Sequence, residues 1–290
     1  MKLALLTRNP VLYSTDRIAR AAVARGHEVL LVDPLACQIS VEPGELGIHC
    51  SGTSLEGVDA ILPRIGPQLT FHGVTIVRQF EMMGVLSINS SSAIARSRDK
   101  LAALQHLANG GIPMPITGFA PSVDFIEDLI NLVGGPPLVV KLLEGSQGIG
   151  VVLSETRQAA QSVVEAFRGV NTNVLIQEFI AESYGEDLRC IVLGDRVIAS
   201  MIRRAGPGEF RSNLHRGGGA VRAELSADET ETALAAVRLL GLRVAGVDIL
   251  RSKRGPLVIE VNSSPGLEGI EAATGIDVAE ALIENVESLT

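Results

Sequence analysis

Cysteine, aromatic residues and surplus positive charge are all scarce in this chain, and each scarcity excludes a class of protein. Its three cysteines, Cys37, Cys50 and Cys190, lie far apart and form no Cys-x-x-Cys pair. That excludes a disulfide framework and a zinc ribbon and predicts the reducing cytoplasm. Two tyrosines, seven phenylalanines and no tryptophan leave few rings for stacking bases. Against 25 Lys plus Arg stand 33 Asp plus Glu, a net charge of -8, which speaks against direct nucleic-acid binding. Mean hydropathy is +0.30, yet no apolar run nears the roughly 18 to 20 residues of a membrane span. The apolar part of Met1–Leu6 is too short for a signal peptide. A soluble cytoplasmic protein is expected, and 290 residues suffice for two domains or three small ones.

The charge is unevenly placed. Seven acids and no Lys or Arg lie between Gly255 and Thr290, whereas six arginines and one acid, Glu209, lie between Arg196 and Arg222. With Gly206, Gly208 and Gly217–Gly219, the arginine stretch reads as a loop for an anionic ligand, since guanidinium pairs bidentately with phosphate or carboxylate. A solvated surface loop is the plainer alternative.

Short apolar runs and amphipathic stretches alternate in the first 90 residues, the pattern of a parallel sheet with crossover helices. Strands are expected at Lys2–Leu6, Glu28–Val32, Asp59–Pro63 and Val85–Ile88. Helices are expected from a Ser14 or Thr15 cap to Arg25 and from Thr70 to Met83. Beyond the Ser90–Ser92 cluster the strand candidates crowd together, and Gly194-Asp195 and Arg254-Gly255 are hairpin signals. The fold class is therefore α/β followed by α+β, the second portion antiparallel, with helices expected at 124–133, 155–167, 227–240 and 277–288.

Val140-Lys141 leads into Gly145-Ser146-Gln147-Gly148-Ile149-Gly150 and then the β-branched Val151-Val152. The glycine order is wrong for a Rossmann fingerprint, and Val151-Val152 stands where a Walker A loop needs Lys and Ser or Thr. What remains is strand, glycine flap, strand. Such a flap can close over the phosphates of ATP with Lys141 beneath them, and a plain glycine hairpin with a surface lysine is the alternative. In Leu257–Asn262, strand alternation puts Glu260 and Asn262 on one face and Leu257, Ile259 and Val261 on the other. Asp248 lies in the apolar run Val244–Leu250, the expected hairpin partner. Three oxygen donors together suit magnesium; a carboxylate satisfied by a neighbouring arginine is the alternative.

These segments resemble the ATP-grasp ligases, and within them the RimK-like glutamate ligases. The likeness runs through Pro63-Arg64-Ile65-Gly66, Arg78–Met82, Arg98-Asp99-Lys100, the Lys141 strand with its flap, Phe210–Gly218, Ala245–Asp248 and Glu260–Gly269. It implies an ATP-grasp fold with an N-terminal α/β pre-ATP-grasp domain (1–95), a central domain with the flap (96–178) and a C-terminal domain with the metals (179–290). Lys100 and Lys141 are implied to contact the ATP phosphates, Lys141 also near the adenine. Glu178 and Phe179 would meet the adenine edge, and Asp187 the ribose. Arg211, Ser212 and Asn213 would hold phosphate and activated substrate, with Arg211 and Lys141 catalytic. Asp248, Glu260 and Asn262 would bind two magnesium or manganese ions.

The implied activity is ATP-dependent addition of glutamate to the C-terminus of a small-subunit ribosomal protein through an acyl phosphate, with poly-glutamate synthesis as a consistent extension. Local charge adds Arg203, Arg204 and Arg216 as candidates for substrate carboxylates. A homo-oligomer is a possible assembly. Three other readings stand beside this one: ligation of glutamate to a small molecule or carrier protein, a nucleotide-binding regulator without turnover, and a dinucleotide-dependent oxidoreductase. The intact Asp248, Glu260, Asn262 set speaks against the regulator, and the missing Rossmann fingerprint against the oxidoreductase.

Overall fold

Leu3, Ala4, Leu5 and Leu6 are wholly buried, and with Lys2 they form strand β1 (Lys2–Leu6) at the centre of a parallel sheet. The computed structural model describes residues 1–143, 149–170, 172–212 and 217–290. Helix α1 (Tyr13–Ala24) leads to strand β2 (Glu28–Val32). A hairpin sheet of β3 (Cys37–Glu42), β4 (Glu45–Cys50) and β5 (Thr53–Ser54) follows. Then come β6 (Ala60–Pro63), α2 (Thr70–Met82) and β7 (Leu86–Ser87), giving the parallel order β2-β1-β6-β7.

Two features of this portion depart from the sequence expectation. Neither Ser14 nor Thr15 caps α1: the cap is Leu12, two residues before Ser14 and without a side-chain bond, and Thr15 is buried. The Ser14 hydroxyl instead accepts the Leu267 N–H at 2.9 Å. The β3–β5 hairpin went unanticipated because five of the six residues of β3 face solvent, so no apolar alternation marks it. Its anchor is Gln79 of α2, whose amide donates to the carbonyls of Ser40 and Gly47.

Ser90 and Asp99 cap α3 (Ser91–Arg98) and α4 (Lys100–Asn109), their side chains accepting from Ala93 and Ala102. A second sheet, ordered β10-β9-β11-β8, comprises β8 (Thr117–Gly118), β9 (Leu138–Leu142), β10 (Val151–Ser154) and β11 (Val174–Glu178). Helices α5 (Ile126–Leu132) and α6 (Arg157–Gly169) bury its apolar face. A third, wholly antiparallel sheet is ordered β14-β13-β12-β15-β16. Its strands are β12 (Glu186–Leu193), β13 (Arg196–Arg204), β14 (Gly219–Arg222), β15 (Val244–Ser252) and β16 (Gly255–Asn262). Helix α7 (Ala227–Leu240), closed by a Ser226/Glu229 capping box and a left-handed Gly241, packs on it. The chain continues through α8 (Glu268–Thr274) to α9 (Val278–Glu287).

The arginine-rich segment is thus not one loop. Its two ends are β13 and β14, because the alternating Val197–Ile202 run pairs with β12. The acidic C-terminal segment finds its cations within the chain. Arg25 of α1 binds Glu280 (2.5 Å) and Glu287 (2.6 Å), His27 meets Glu287 at 2.8 Å, and Arg17 reaches Asp277 at 2.6 Å. Beneath these pairs one core joins Leu3, Leu5 and Ile18 to Val278, Leu282, Ile283 and Val286.

A single buried amide fastens the parallel sheet to the third sheet. Asn89 donates to the carbonyls of Val244 (2.7 Å) and Ser263 (2.9 Å) and accepts from the N–H groups of Arg243 (2.7 Å) and Val244 (2.9 Å). All four valences of the amide are used. Asn89→Ala is expected to cost at least the roughly 1–3 kcal/mol of one buried polar group left unsatisfied, read as a lower urea midpoint at unchanged m-value.

Candidate active site

The second and third sheets face each other across a cavity of about 190 Å³. Strand β9 brings Lys141 to it, α4 brings Lys100, and the end of β11 brings Glu178 with Phe179 after it. The opposite wall carries Asp187 from β12, Asp248 from β15 and Glu260 from β16, with Arg211 and Ser212 on the segment after β13. Nine of the eleven residues nominated for nucleotide or metal therefore line one space, and Arg203 lines it with them. Asn262 is two residues beyond Glu260 and outside the lining. Asn213, His215, Arg216, Gly145 and Gly148 lie outside the described residues.

Lys141 donates to the Gln177 side-chain oxygen at 2.5 Å, and Gln177 in turn donates to Thr117 at 2.8 Å. Burial pulls the Lys141 ammonium down to about 8, with Glu260 opposing. Burial also lowers Lys100, which donates to the Leu142 carbonyl at 3.1 Å. Glu178 has its carboxylate turned outward, accepting from Arg254 (2.7 Å) and the Ile116 N–H (3.1 Å). Its charge is therefore already committed within the protein. Phe179 stands edge-on to Tyr184, ring centroids 6.0 Å apart.

Among the described residues, Arg211 is held by Glu209 and by Val151. Glu209 accepts from its Nε at 2.9 Å and Nη2 at 2.7 Å, and the Val151 carbonyl of β10 accepts from Nη1 at 3.2 Å. The guanidinium also lies 5.4 Å from the centre of the Phe210 ring. These bonds pull the Glu209 carboxyl down to about 2, so the clamp stays charged at any working pH.

The buried charges on the opposite wall form a ladder across the sheet. Arg189 grips Asp248 through Nε at 2.7 Å and Nη2 at 2.6 Å. Arg203 pairs with Asp187 through both its Nε and Nη2 and reaches Asp248 at 2.9 Å. Burial alone would raise the Asp248 carboxyl, but the two guanidinium groups outweigh it and hold it below the usual range. At Asp187, which also accepts from Ser212, burial prevails and the carboxyl is raised. The arginine partner weighed for Asp248 is thus present, supplied by two residues. Of these Arg189 escaped the sequence reading, because its place opposite Asp248 depends on β12 lying beside β15, a pairing between strands distant in the chain. Arg203 and Arg204 are corrected as free carboxylate binders: the first is committed to Asp187 and Asp248, the second to Glu186 at 2.7 Å.

The alternation expected along β16 also needs correction. Asp248 pairs with Glu260 but Ile249 with Val258, so Ile259 is bulged out of the ladder. Val258 and Val261 are both buried in the core, and Ile259 joins Glu260 at the cavity. The bulge leaves Asp248 and Glu260 directly opposite, with Asn262 two positions on, across from Gly246.

This oxygen set fits a hard divalent cation. Asp248 and Glu260 supply carboxylates about 5 Å apart at Cβ by ladder geometry. The Asn262 amide nitrogen is buried without a partner, a position its oxygen takes after a half-turn of the amide. Among the described residues no three His, Cys, Asp or Glu side chains gather into a metal cluster; the candidate set has only two carboxylates. Cys190 is wholly buried, and burial pushes its thiol up to about 12, which fits a small core residue.

Two family models cover the chain: a RimK PreATP-grasp domain over residues 1–94 and a RimK-like ATP-grasp domain over residues 97–286. A probable alpha-L-glutamate ligase 1 of Hahella chejuensis (strain KCTC 2396) is 58% identical over 287 residues, 99% of this chain and 95% of that one. The crystal structure of a RimK domain protein ATP-grasp from Sphaerobacter thermophilus DSM 20745 superposes with a TM-score of 0.73. It has 25% identity and covers 99% of this chain and 100% of that one. The ATP-grasp ligase PsnB, complexed with minimal precursor, Mg and ADP, superposes with a TM-score of 0.74 at 21% identity, covering 99% of this chain and 98% of that one.

Proposed function

Because the chain belongs to the RimK-like ATP-grasp family and is thereby a carbon–nitrogen ligase, we propose that it adds glutamate to the C-terminus of a small-subunit ribosomal protein, driven by ATP. The observation that carries this reading is the convergence of half-buried lysines on one wall of a single cavity and of carboxylates on the other. The glutamate specificity rests on the relatives' name. The acceptor rests on the Phe210–Gly218 likeness, and other acceptors, a small molecule or a carrier protein, are alternative outcomes of the test below. Repeated addition to a glutamate end is the same reaction and gives poly-glutamate.

ATP would lie between the central portion (96–178) and the C-terminal portion (179–290). The Glu178 and Phe179 backbone would meet the adenine and Asp187 the ribose. A carboxylate is too poor an electrophile for an amine. Its oxygen must first take the γ-phosphoryl group, releasing ADP, and the glutamate amine then displaces phosphate from the acyl phosphate. Lys141 and Lys100 neutralise the phosphates from one side, and Arg211, steadied by Glu209 and joined by Ser212 and Asn213, does so from the other. Asp248, Glu260 and Asn262 would hold two magnesium ions, or manganese in their place, which supply charge neutralisation of the phosphate oxygens when bound.

Lys141 gives a pH test. Its lowered value means that the free protein loses this cation as pH rises through about 8. kcat/KM for ATP is therefore expected to fall about tenfold per pH unit above that point, and Lys141→Met should show no such limb.

The direct experiment is intact mass spectrometry of small-subunit ribosomal proteins incubated with the protein, ATP, magnesium and glutamate. Gains in steps of one glutamyl residue on one protein, absent with Asp248→Ala, are the expected result. ADP formation with no gain would move the search to another acceptor; absence of both would overturn the reading.

A further inference from the structure

Arg17, Arg189, Arg203 and Arg211 each close on a carboxylate. Two other largely buried arginines, Arg64 and Arg98, have no carboxylate within ion-pair distance among the described residues. Arg64 follows β6 directly and donates from Nη2 to the Pro265 carbonyl at 2.6 Å. Arg98 ends α3 and donates from Nη2 to the Ile65 carbonyl. Burial lowers both, and at Arg64 burial and the charge of Arg98 together bring it down to about 10. Two like charges thus sit close together, desolvated and bonded only to neutral carbonyls, an arrangement that disfavours both until an anion arrives.

Unsatisfied polar atoms gather at the same seam. Arg98 Nε, Asn262 Nδ2 and Ser263 Oγ are buried with no hydrogen-bond partner. Residues 262–265 face 63–65 through two bonds, Ser264 Oγ to the Pro63 carbonyl at 3.0 Å and Arg64 to the Pro265 carbonyl. The seam also borders the active site: Glu260 acts electrostatically on Arg98 as it does on Lys100 and Lys141, and Ser97, beside Arg98, lines the cavity. The arginines first nominated for substrate carboxylates, Arg203 and Arg204, are already taken by Asp187, Asp248 and Glu186.

We propose that Arg64 and Arg98 form a carboxylate subsite for a glutamyl substrate, at the seam between the parallel sheet and the segment after β16. The guanidinium fork matches a carboxylate bidentately. This inference rests on the glutamate-ligase reading. The carboxylate has two sources, the incoming glutamate or the acceptor's own glutamate end, with one chemistry.

Steady-state kinetics of Arg64→Gln, Arg98→Gln and Arg98→Lys, varying ATP, glutamate and a glutamate-ended acceptor peptide in turn, tests it. For the glutamine variants KM is expected to rise at least tenfold for one carboxylate substrate while KM for ATP stays within twofold, and Arg98→Lys should recover part of the loss. A rise for glutamate places the amino acid in the subsite; a rise for the peptide places the chain end there. KM values that are unchanged, or that rise together for all three substrates, overturn the subsite. A second readout, needing no turnover, is the melting temperature with glutarate. It should rise for wild type and not for Arg98→Gln, and equal response or none in both overturns the proposal. A wild type stabilised by glutarate yet unable to incorporate glutamate would instead locate the failure in the ligase reading.

Discussion

Asp248→Asn is expected to lower ATP-dependent turnover by roughly 10²–10³-fold, the scale for removing one preorganised electrostatic contact, and also to destabilise the protein. Glu260→Gln is expected to do the first without the second. The two carboxylates face each other across the β15–β16 ladder but differ in surroundings. Asp248 is 3% exposed and answers two guanidinium groups. Removing its charge leaves Arg189 buried against a neutral amide, and breaking a buried pair costs about 3–5 kcal/mol. Glu260 is exposed, where a neutral replacement changes stability by about 0.5 kcal/mol or less. Coupled-enzyme measurement of ADP release beside urea unfolding separates the effects. Equal stability losses would mean that Arg189 and Arg203 do not need Asp248, and full turnover in Glu260→Gln would remove it from the site.

Arg211→Ala is the second large effect, a loss of about 2.7–4 kcal/mol of transition-state stabilisation, with kcat falling and KM for ATP changing less. Its guanidinium is fixed before any substrate arrives, by Glu209 on one side and the Val151 carbonyl on the other. A cation already in place need not reorganise when charge develops on the transferring phosphoryl group. Single-turnover ADP formation in a rapid quench is the readout. An unchanged rate would leave Arg211 as a tie between β10 and the segment after β13 and nothing more.

What was legible in the sequence was what local chemistry specifies. Helix α7 runs from Ala227 to Leu240 as expected because Ser226 and Glu229 spell a capping box and Gly241 a left-handed stop. The β12–β13 and β15–β16 hairpins follow from Gly194-Asp195 and Arg254-Gly255. What stayed hidden depends on partners distant in the chain. Nothing near Ser14 says that its hydroxyl belongs to Leu267, and nothing near Arg189 says that it belongs to Asp248. The Ile259 bulge breaks a period that the residues themselves keep, and β3 was missed because a strand facing water has no apolar beat to read.

The packing of α9 against α1 and β1 also bears on biosynthesis. Val278, Leu282, Ile283 and Val286 share one core with Leu3 and Leu5 of the parallel sheet and Ile18 of α1. About 190 residues separate the last strand of that sheet, ending at Ser87, from the first residue of α9. At ribosomal rates of about 5–20 residues per second that is roughly ten to forty seconds. During that interval the nascent first sheet stands complete in its strands, with α1 beside it, but the core the two share is still open, a natural client for a chaperone until α9 emerges to close it.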